Sequence, residues 1–235
     1  MVYNIIWDLI LTVLISYLLG SIPSAYLVGR GFKGVDIRQI GSHNMGAMNA
    51  FYAIGFWPGM LVLACDVGKG MLALYFSYLL SVYLFPLDAN YVIPLEMISG
   101  VAVIAGHNFT VFLKFKGGKG GATAIGVLAF LVAWVNWLEL GPVKLPIPYG
   151  WLIYLASFFA LMAITRWPTA AYGVSFAAFP LIAWYVYKDP GLTIYSIFIA
   201  LVPILMYIPR LKQILGKSEG NVKRALFRRN LKDRM

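Results

Sequence analysis

Residues 106–123, GHNFTVFLKFKGGKGGAT, set His107, Lys114, Lys116 and Lys119 among glycines in a chain that is otherwise mostly apolar. Glycine permits positive φ and lets backbone N–H groups come close to a ligand. Successive N–H groups in such a turn form a nest for an anion. The apolar run from Ala122 onward reads as a helix whose positive end faces that nest. Lysine adds a point charge suited to phosphate. This pattern predicts a phosphate-binding loop at a bilayer surface, with Lys119 flanked by Gly117, Gly118 and Gly120, and with Lys116 beside them. Lysines that only fix membrane topology need no glycines between them. The segment is no Walker A motif, because its Gly-Lys pair is followed by Gly120 rather than Ser or Thr.

A second polar region lies upstream. It runs through Gly20, Ser21, Pro23 and Ser24, then Arg30, Asp36 and Arg38, then GSHNMGAMN at residues 41–49. Pro23 caps or kinks the first helix, freeing backbone groups that Ser21 and Ser24 are expected to satisfy. Gly41 and Gly46 frame Ser42, His43 and Asn44, and Asn49 closes the loop. Two anion-competent loops on one side of an apolar bundle predict a substrate with phosphate at the surface and an apolar chain in the bilayer. A neutral imidazole can act as general base near pH 7. Neither His43 nor His107 has a carboxylate close in sequence, and His107 is expected to hydrogen-bond backbone at the loop entrance. Asp66 and Lys69, three apart on one helical face, are expected to form an intramembrane ion pair, with substrate contact as the other reading.

Apolar helices must position these loops. The chain has 235 residues, 61% hydrophobic and 12% charged, against roughly 45–50% and 25% in a soluble domain. That composition specifies an integral membrane protein. The +10 formal charge and pI near 9.7 call for anionic partners, read here as membrane lipid beside cytoplasmic loops. Nucleic acid is excluded, since the only long basic stretch is a short tail. Cys65 is the only cysteine, so no intrachain disulfide or thiol metal site forms, and it is expected to pack as a small buried residue. The first apolar run is preceded by no Lys or Arg and reads as a retained helix, not a cleaved signal.

The apolar runs are 5–19 (continuing through 26–28), 50–85, 93–105, 122–138, 151–165, 167–187 and 192–208. Basic residues gather near Arg30–Arg38, Lys114–Lys119 and Arg166, and throughout Arg210–Arg234. If basic loops are cytoplasmic, the chain starts outside and ends inside, and 50–85 makes one full crossing plus a partial or interfacial helix broken at Gly68–Gly70. The expectation is an all-α polytopic membrane protein of about seven transmembrane helices. Residues 1–208 form one membrane domain and 209–235 a basic cytoplasmic tail. The basic polar loops are expected to face the cytoplasm.

At these residues the sequence resembles the bacterial acyl-phosphate:glycerol-3-phosphate acyltransferase family, the PlsY type. The family's GSIP helix end, GSxNxGATN loop, D-x-x-KG segment and GHxFPVFLxFKGGKGVAT stretch stand here at residues 20–23, 41–49, 66–70 and 106–123. The likeness is close across the first half and thin beyond Thr123. It implies transfer of a fatty acyl group from acyl phosphate to the 1-hydroxyl of glycerol 3-phosphate, giving lysophosphatidate and phosphate in phospholipid synthesis. It also implies a bacterial-type plasma membrane as the setting, with the active site facing the cytoplasm. No cofactor, acyl-CoA or acyl carrier protein is called for. Carried over by position, Ser42 is the serine of the GSxN loop and Lys119 the lysine of the glycine-rich clamp, the two catalytic candidates. Ser21, Arg38, Gly41, His43, Asn44, Gly46, Asn49, His107, Lys116, Gly117, Gly118 and Gly120 are the substrate-binding candidates of the first half.

An acyl phosphate is already activated, so donors need only stabilise the oxyanion and departing phosphate while loops orient the acceptor hydroxyl. The leaving phosphate can take the hydroxyl proton. Ser42 as covalent nucleophile is the alternative to Ser42 as hydrogen-bond donor. The chain departs from the family on the acceptor side. Met48 and Tyr52 stand where members carry Thr and Arg, and Thr169, after Arg166, stands for a serine. Tyr207 and Arg210 fall where His and Asn are usual, and no histidine follows His107. Arg166, Thr169 and Arg210 are therefore the second-half binding candidates, in an enzyme that uses either glycerol 3-phosphate or an altered acceptor. Two other classes remain open: a transporter of a phosphorylated or anionic lipid, and a paralogue that has lost its acceptor.

Overall fold

The computed structural model describes residues 2–133, 137–140, 143–146, 149–165 and 168–216. It forms two compact units, Met1–Val127 and Leu128–Met235. The first contains α1 (Val2–Ser21), α2 (Ser24–Lys33), α3 (Ala47–Ala53), α4 (Phe56–Leu79) and α5 (Ala89–Asn108), and α6 (Gly121–Ala133) begins in it. The second contains β1 (Trp137–Leu140), β2 (Val143–Pro146), α7 (Tyr149–Thr165), α8 (Pro168–Ser175), α9 (Ala178–Ile182) and α10 (Pro190–Gly216).

Among the described residues, three helical stretches are long and apolar enough to cross a membrane: Val2–Lys33, Phe56–Leu84 and Ala89–Leu113. Shorter apolar helices occupy Gly121–Leu131, Leu152–Leu161, Gly173–Tyr185 and Pro190–Met206. Large apolar side chains such as Trp7, Leu14, Leu72 and Ile98 lie exposed on the long helices, the outward face that hydrocarbon solvent favours. Cys65 shares that exposed face of α4, contrary to the burial expected for it, because a helix turns its neighbour Asp66 inward instead.

α1 and α5 run parallel, with α4 antiparallel to both, and hydroxyls pin their register. On α1 a buried file at four-residue spacing, Asp8, Thr12 and Ser16, faces the other two helices. Asp8 accepts from Thr12 at 3.0 Å and from Ser81 at 2.7 Å, and the Ser16 and Ser99 hydroxyls share a bond at 2.8 Å. In lipid, where apolar contact does not distinguish helix from tail, such bonds and small residues set helix pairing.

The expected break at Gly68–Gly70 is absent. α4 runs unbroken from Phe56 to Leu79, and the interruption sits upstream at Ile54–Gly55, where Gly55 has φ 129°. Gly70 instead permits contact with α6, since a Cβ there would overlap the Thr123 carbonyl. Glycine costs a helix only about 1 kcal/mol and keeps its N–H in the ladder, so a close helix contact overrides it.

In the second unit, Tyr154, Phe176 and Phe179 form a buried aromatic cluster with centroids 5.2–6.0 Å apart. Here the run 122–138 does not continue as one helix. α6 ends at Ala133, and β1 pairs antiparallel with β2 in the register Trp137 to Pro146. This hairpin is the non-helical addition to a helical fold. The run 167–187 is likewise divided, into α8, α9 and a π turn at Ala183–Tyr187. α10 continues past Ile208 through Pro209 to Gly216, so the start of the expected tail is helical.

Candidate active site

The break after α1 builds the first wall. Pro23 lacks an N–H and ends the helix, leaving the Ser21 and Ile22 carbonyls to find donors. No serine hydroxyl supplies them; Ser24 N donates to Ile22 O at 3.0 Å, and the other donors come from distant segments. Thr110 Oγ1 donates to Ser21 O, and Lys69 Nζ donates to Ile22 O at 3.2 Å. Ser21 Oγ donates to Gly106 O at 3.4 Å. α1, α4 and α5 are thus tied together at the elbow.

Lys69 also lies 2.8 Å from Asp66 Oδ1, with both side chains at least nine-tenths buried. The expected ion pair is present, and it has a third member. His107 Nδ1 faces Asp66 Oδ1 at 3.6 Å, beyond hydrogen-bond range. The ring is buried between that carboxylate and the glycine-rich turn, so the expectation that it bonds loop backbone is corrected. A small pocket is lined by Gly20, Ser21, Ile22, Pro23, Ser24, Met45, Asp66, Lys69, His107 and Thr110. Segments from four distant stretches of sequence meet at this pocket.

Met45 brings in the Ser42-bearing loop, which is held from within. Asn49 is buried on the first turn of α3. Its Nδ2 reaches the carbonyls of Ile37, Ile40 and Asn44 at 2.9–3.0 Å, and its Oδ1 accepts from Ser42 N at 2.8 Å. Gly41 (φ 62°) and His43 (φ 58°) take left-handed conformations, and His43 Nδ1 sits 3.0 Å from Arg38 O. Among the described residues the Ser42 hydroxyl and the Asn44 side-chain amide make no hydrogen bond.

Arg38 forks onto Asp36 through Nε and Nη2, at 2.7–3.2 Å, and lies 5.2 Å over the Tyr26 ring. The Arg38 guanidinium holds the Asp36 carboxyl down at about 2, below its ordinary 3.8, against the opposing effect of burial. A carboxyl whose value falls on folding stabilises the fold above its unfolded value and loses that contribution as pH drops through its folded one. Amide protection in residues 36–49 should therefore stay level above pH 3.8 and fall as pH drops toward about 2. Hydrogen exchange across that range measures it, and Arg38→Met should remove the fall.

The glycine-rich turn follows α5 and leads into α6, whose start at Gly121 agrees with the expected helix. Its first two glycines do not present their N–H groups to a ligand. Gly117 N donates to Asn108 O and Gly118 N to His107 O, each at 3.0 Å. They serve as C-terminal partners for α5, and Gly118 has no Cβ because His107 Nε2 occupies that space. The nest expected there is corrected to Lys119 together with the start of α6. Lys119 is part-buried in this turn, Gly120 has φ 79°, and Lys116 is exposed. Gly46 precedes α3 as its N-cap. Thr169 falls in α8 and Arg210 in α10, while Arg166 lies outside the described residues. Sequence reading missed Asp66 as the neighbour of His107. Among the described residues no group of three or more His, Cys, Asp or Glu is placed to hold a metal.

Apolar helices that gather charged and glycine-framed segments around a buried Asp-Lys-His array make a membrane protein with a polar pocket among its helices. The chain belongs to the glycerol-3-phosphate acyltransferase family, whose profile matches residues 10–217. It is 49% identical over 227 residues to glycerol-3-phosphate acyltransferase 2 of Dehalococcoides mccartyi, covering 96% of this chain and 97% of that protein. It is 33% identical to the Bacillus subtilis glycerol-3-phosphate acyltransferase, covering 91% and 97%. The crystal structure of PlsY, an integral membrane glycerol 3-phosphate acyltransferase in its glycerol 3-phosphate form, superposes with a TM-score of 0.70 at 27% identity. That match covers 89% of this chain and 92% of the other.

Proposed function

We propose that the protein transfers a fatty acyl group from acyl phosphate to the 1-hydroxyl of glycerol 3-phosphate, releasing lysophosphatidate and inorganic phosphate. The observation that carries this reading is the meeting of the Gly20–Ser24 elbow, the Ser42 loop, Asp66–Lys69 and His107–Thr110 around one pocket. The acceptor oxygen attacks the acyl carbonyl carbon, the bond from that carbon to the phosphate oxygen breaks, and the hydroxyl proton leaves on the phosphate. Ser42 Oγ is the donor to the developing oxyanion. Lys119, with the positive end of α6, neutralises the departing phosphate. Asn44 and Lys116 are ligands at the surface. Asn49, Arg38, Ser21, His107, Gly41, Gly46, Gly117, Gly118 and Gly120 hold the loops, because their polar atoms or missing side chains are already committed to protein contacts.

The distribution of basic residues supports about seven crossings, an outside N-terminus and a site facing the cytoplasm. Residues 1–208 make the membrane domain, and 209–235 the basic end against anionic lipid. Arg166, Thr169 and Arg210 belong to the acceptor side. Purified protein in detergent, given labelled glycerol 3-phosphate and palmitoyl phosphate, should form lysophosphatidate, and palmitoyl-CoA should not replace the donor. No lysophosphatidate from palmitoyl phosphate would sink the reading.

A further inference from the structure

Asp66 is 1% exposed and lies at the wall of the pocket. Lys69 pairs with it, yet neither carboxylate oxygen receives a well-aligned hydrogen bond. A buried acceptor without a donor is costly, and the pocket's other polar groups do not supply one. Ser21 Oγ is spent on Gly106 O, and Thr110 Oγ1 on Ser21 O. Lys69 reaches Ile22 O and Asp66, leaving one of the roughly three donors of an ammonium. The pocket therefore offers an unfilled acceptor beside an unfilled donor. That combination suits a hydroxyl, which donates to one and accepts from the other. Its inner space of about 10 Å³ admits one water-sized group. A phosphate is too large for that space, and a carbonyl oxygen has no proton to give Asp66.

We propose that Asp66 and Lys69 form a specificity subsite that takes the spectator secondary hydroxyl of a polyol phosphate acceptor. This rests on the acyltransferase reading above. His107 Nδ1 faces the same Asp66 oxygen as Lys69, and its Nε2 lies against Gly118, so the ring links the subsite to the Lys119 turn. A site that hydrogen-bonds a substrate hydroxyl through buried polar groups rejects the analogue lacking it, because those groups are then left unpaired.

The test compares glycerol 3-phosphate with 3-hydroxypropyl phosphate, which keeps the primary hydroxyl and the phosphate but lacks the secondary hydroxyl. With palmitoyl phosphate as donor, the wild-type kcat/KM should favour glycerol 3-phosphate by about 100-fold or more. The double variant Asp66→Leu/Lys69→Met removes both charges together and should bring that ratio below about tenfold by lowering the glycerol 3-phosphate value alone. Ser24→Val fills the pocket without touching the ion pair and should do the same, which keeps the test decisive if the double variant fails to fold. Equal use of both acceptors by the wild type overturns the subsite, and so does an equal fall on both acceptors in the variants. Failure to form any acylated product from glycerol 3-phosphate would instead count against the acyltransferase reading.

Discussion

Lys119→Ala is expected to lower lysophosphatidate formation by about 10³-fold or more, and Ser42→Ala by about 10²-fold. The two residues approach the same reaction from different loops. Lys119 stands at the entry to α6, where, in the proposed reaction, helix dipole and ammonium would add at the departing phosphate. Ser42 is held by its backbone N–H on Asn49 Oδ1 at 2.8 Å, which leaves its hydroxyl free to meet a ligand. Deleting that hydroxyl removes no bond within the described protein. Ser42→Ala should therefore lose rate while its thermal unfolding midpoint stays at the wild-type value. Lys119→Arg should recover part of the activity, since it keeps the charge but replaces a compact ammonium with a planar fork. Rates measured with labelled glycerol 3-phosphate and palmitoyl phosphate check all three. Full activity in both alanine variants would show that the site has been assigned to the wrong loops.

Asn49 sharpens the distinction between touching substrate and holding the loop that does. Its residue type suits either role, and spacing alone cannot choose between them. The geometry can, because every polar atom of its amide is directed at loop backbone. The same holds for Arg38, whose fork is filled by Asp36. Proximity of such residues to a site reflects the need to pre-order a polar loop before a ligand arrives, which lowers the ordering cost of binding.

The helical class, the start of α6 and the Asp66–Lys69 pair were legible because each depends on short-range pattern: composition, periodicity, and a three-residue spacing. The errors fall where distant segments decide. Gly68–Gly70 reads as a break when taken locally, yet it is where α6 packs against α4. Gly117 and Gly118 have the composition of an anion nest, but their N–H groups answer the terminal carbonyls of α5. A helix that ends beside a turn must satisfy its last carbonyls first. His107 has no carboxylate near it in sequence because its neighbour Asp66 comes from another helix. Cys65 has no local signal for its face beyond its neighbour Asp66, which must turn inward.

Lys69→Met should destabilise the protein by about 3–5 kcal/mol, seen as a lower thermal unfolding midpoint in detergent. The substitution is close in volume and suits a membrane helix, so lost packing does not account for the effect. What remains is a carboxylate with a 2% exposed side chain and no counter-charge in contact. His107 cannot replace the ammonium at 3.6 Å without moving, and its ring is fenced by Gly118. The elbow also loses a tie to α4, because Ile22 O keeps its bond from Ser24 N but loses the one from Lys69. Adding Asp66→Leu to Lys69→Met should restore most of the stability, since a buried pair replaced whole by apolar groups is often neutral. Recovery in the double variant, set against the loss in the single one, isolates the coupling between the two charges. If Lys69→Met unfolds at the wild-type temperature, the pair does not hold α4 to the α1 elbow, and the pocket must owe its shape to the helices alone.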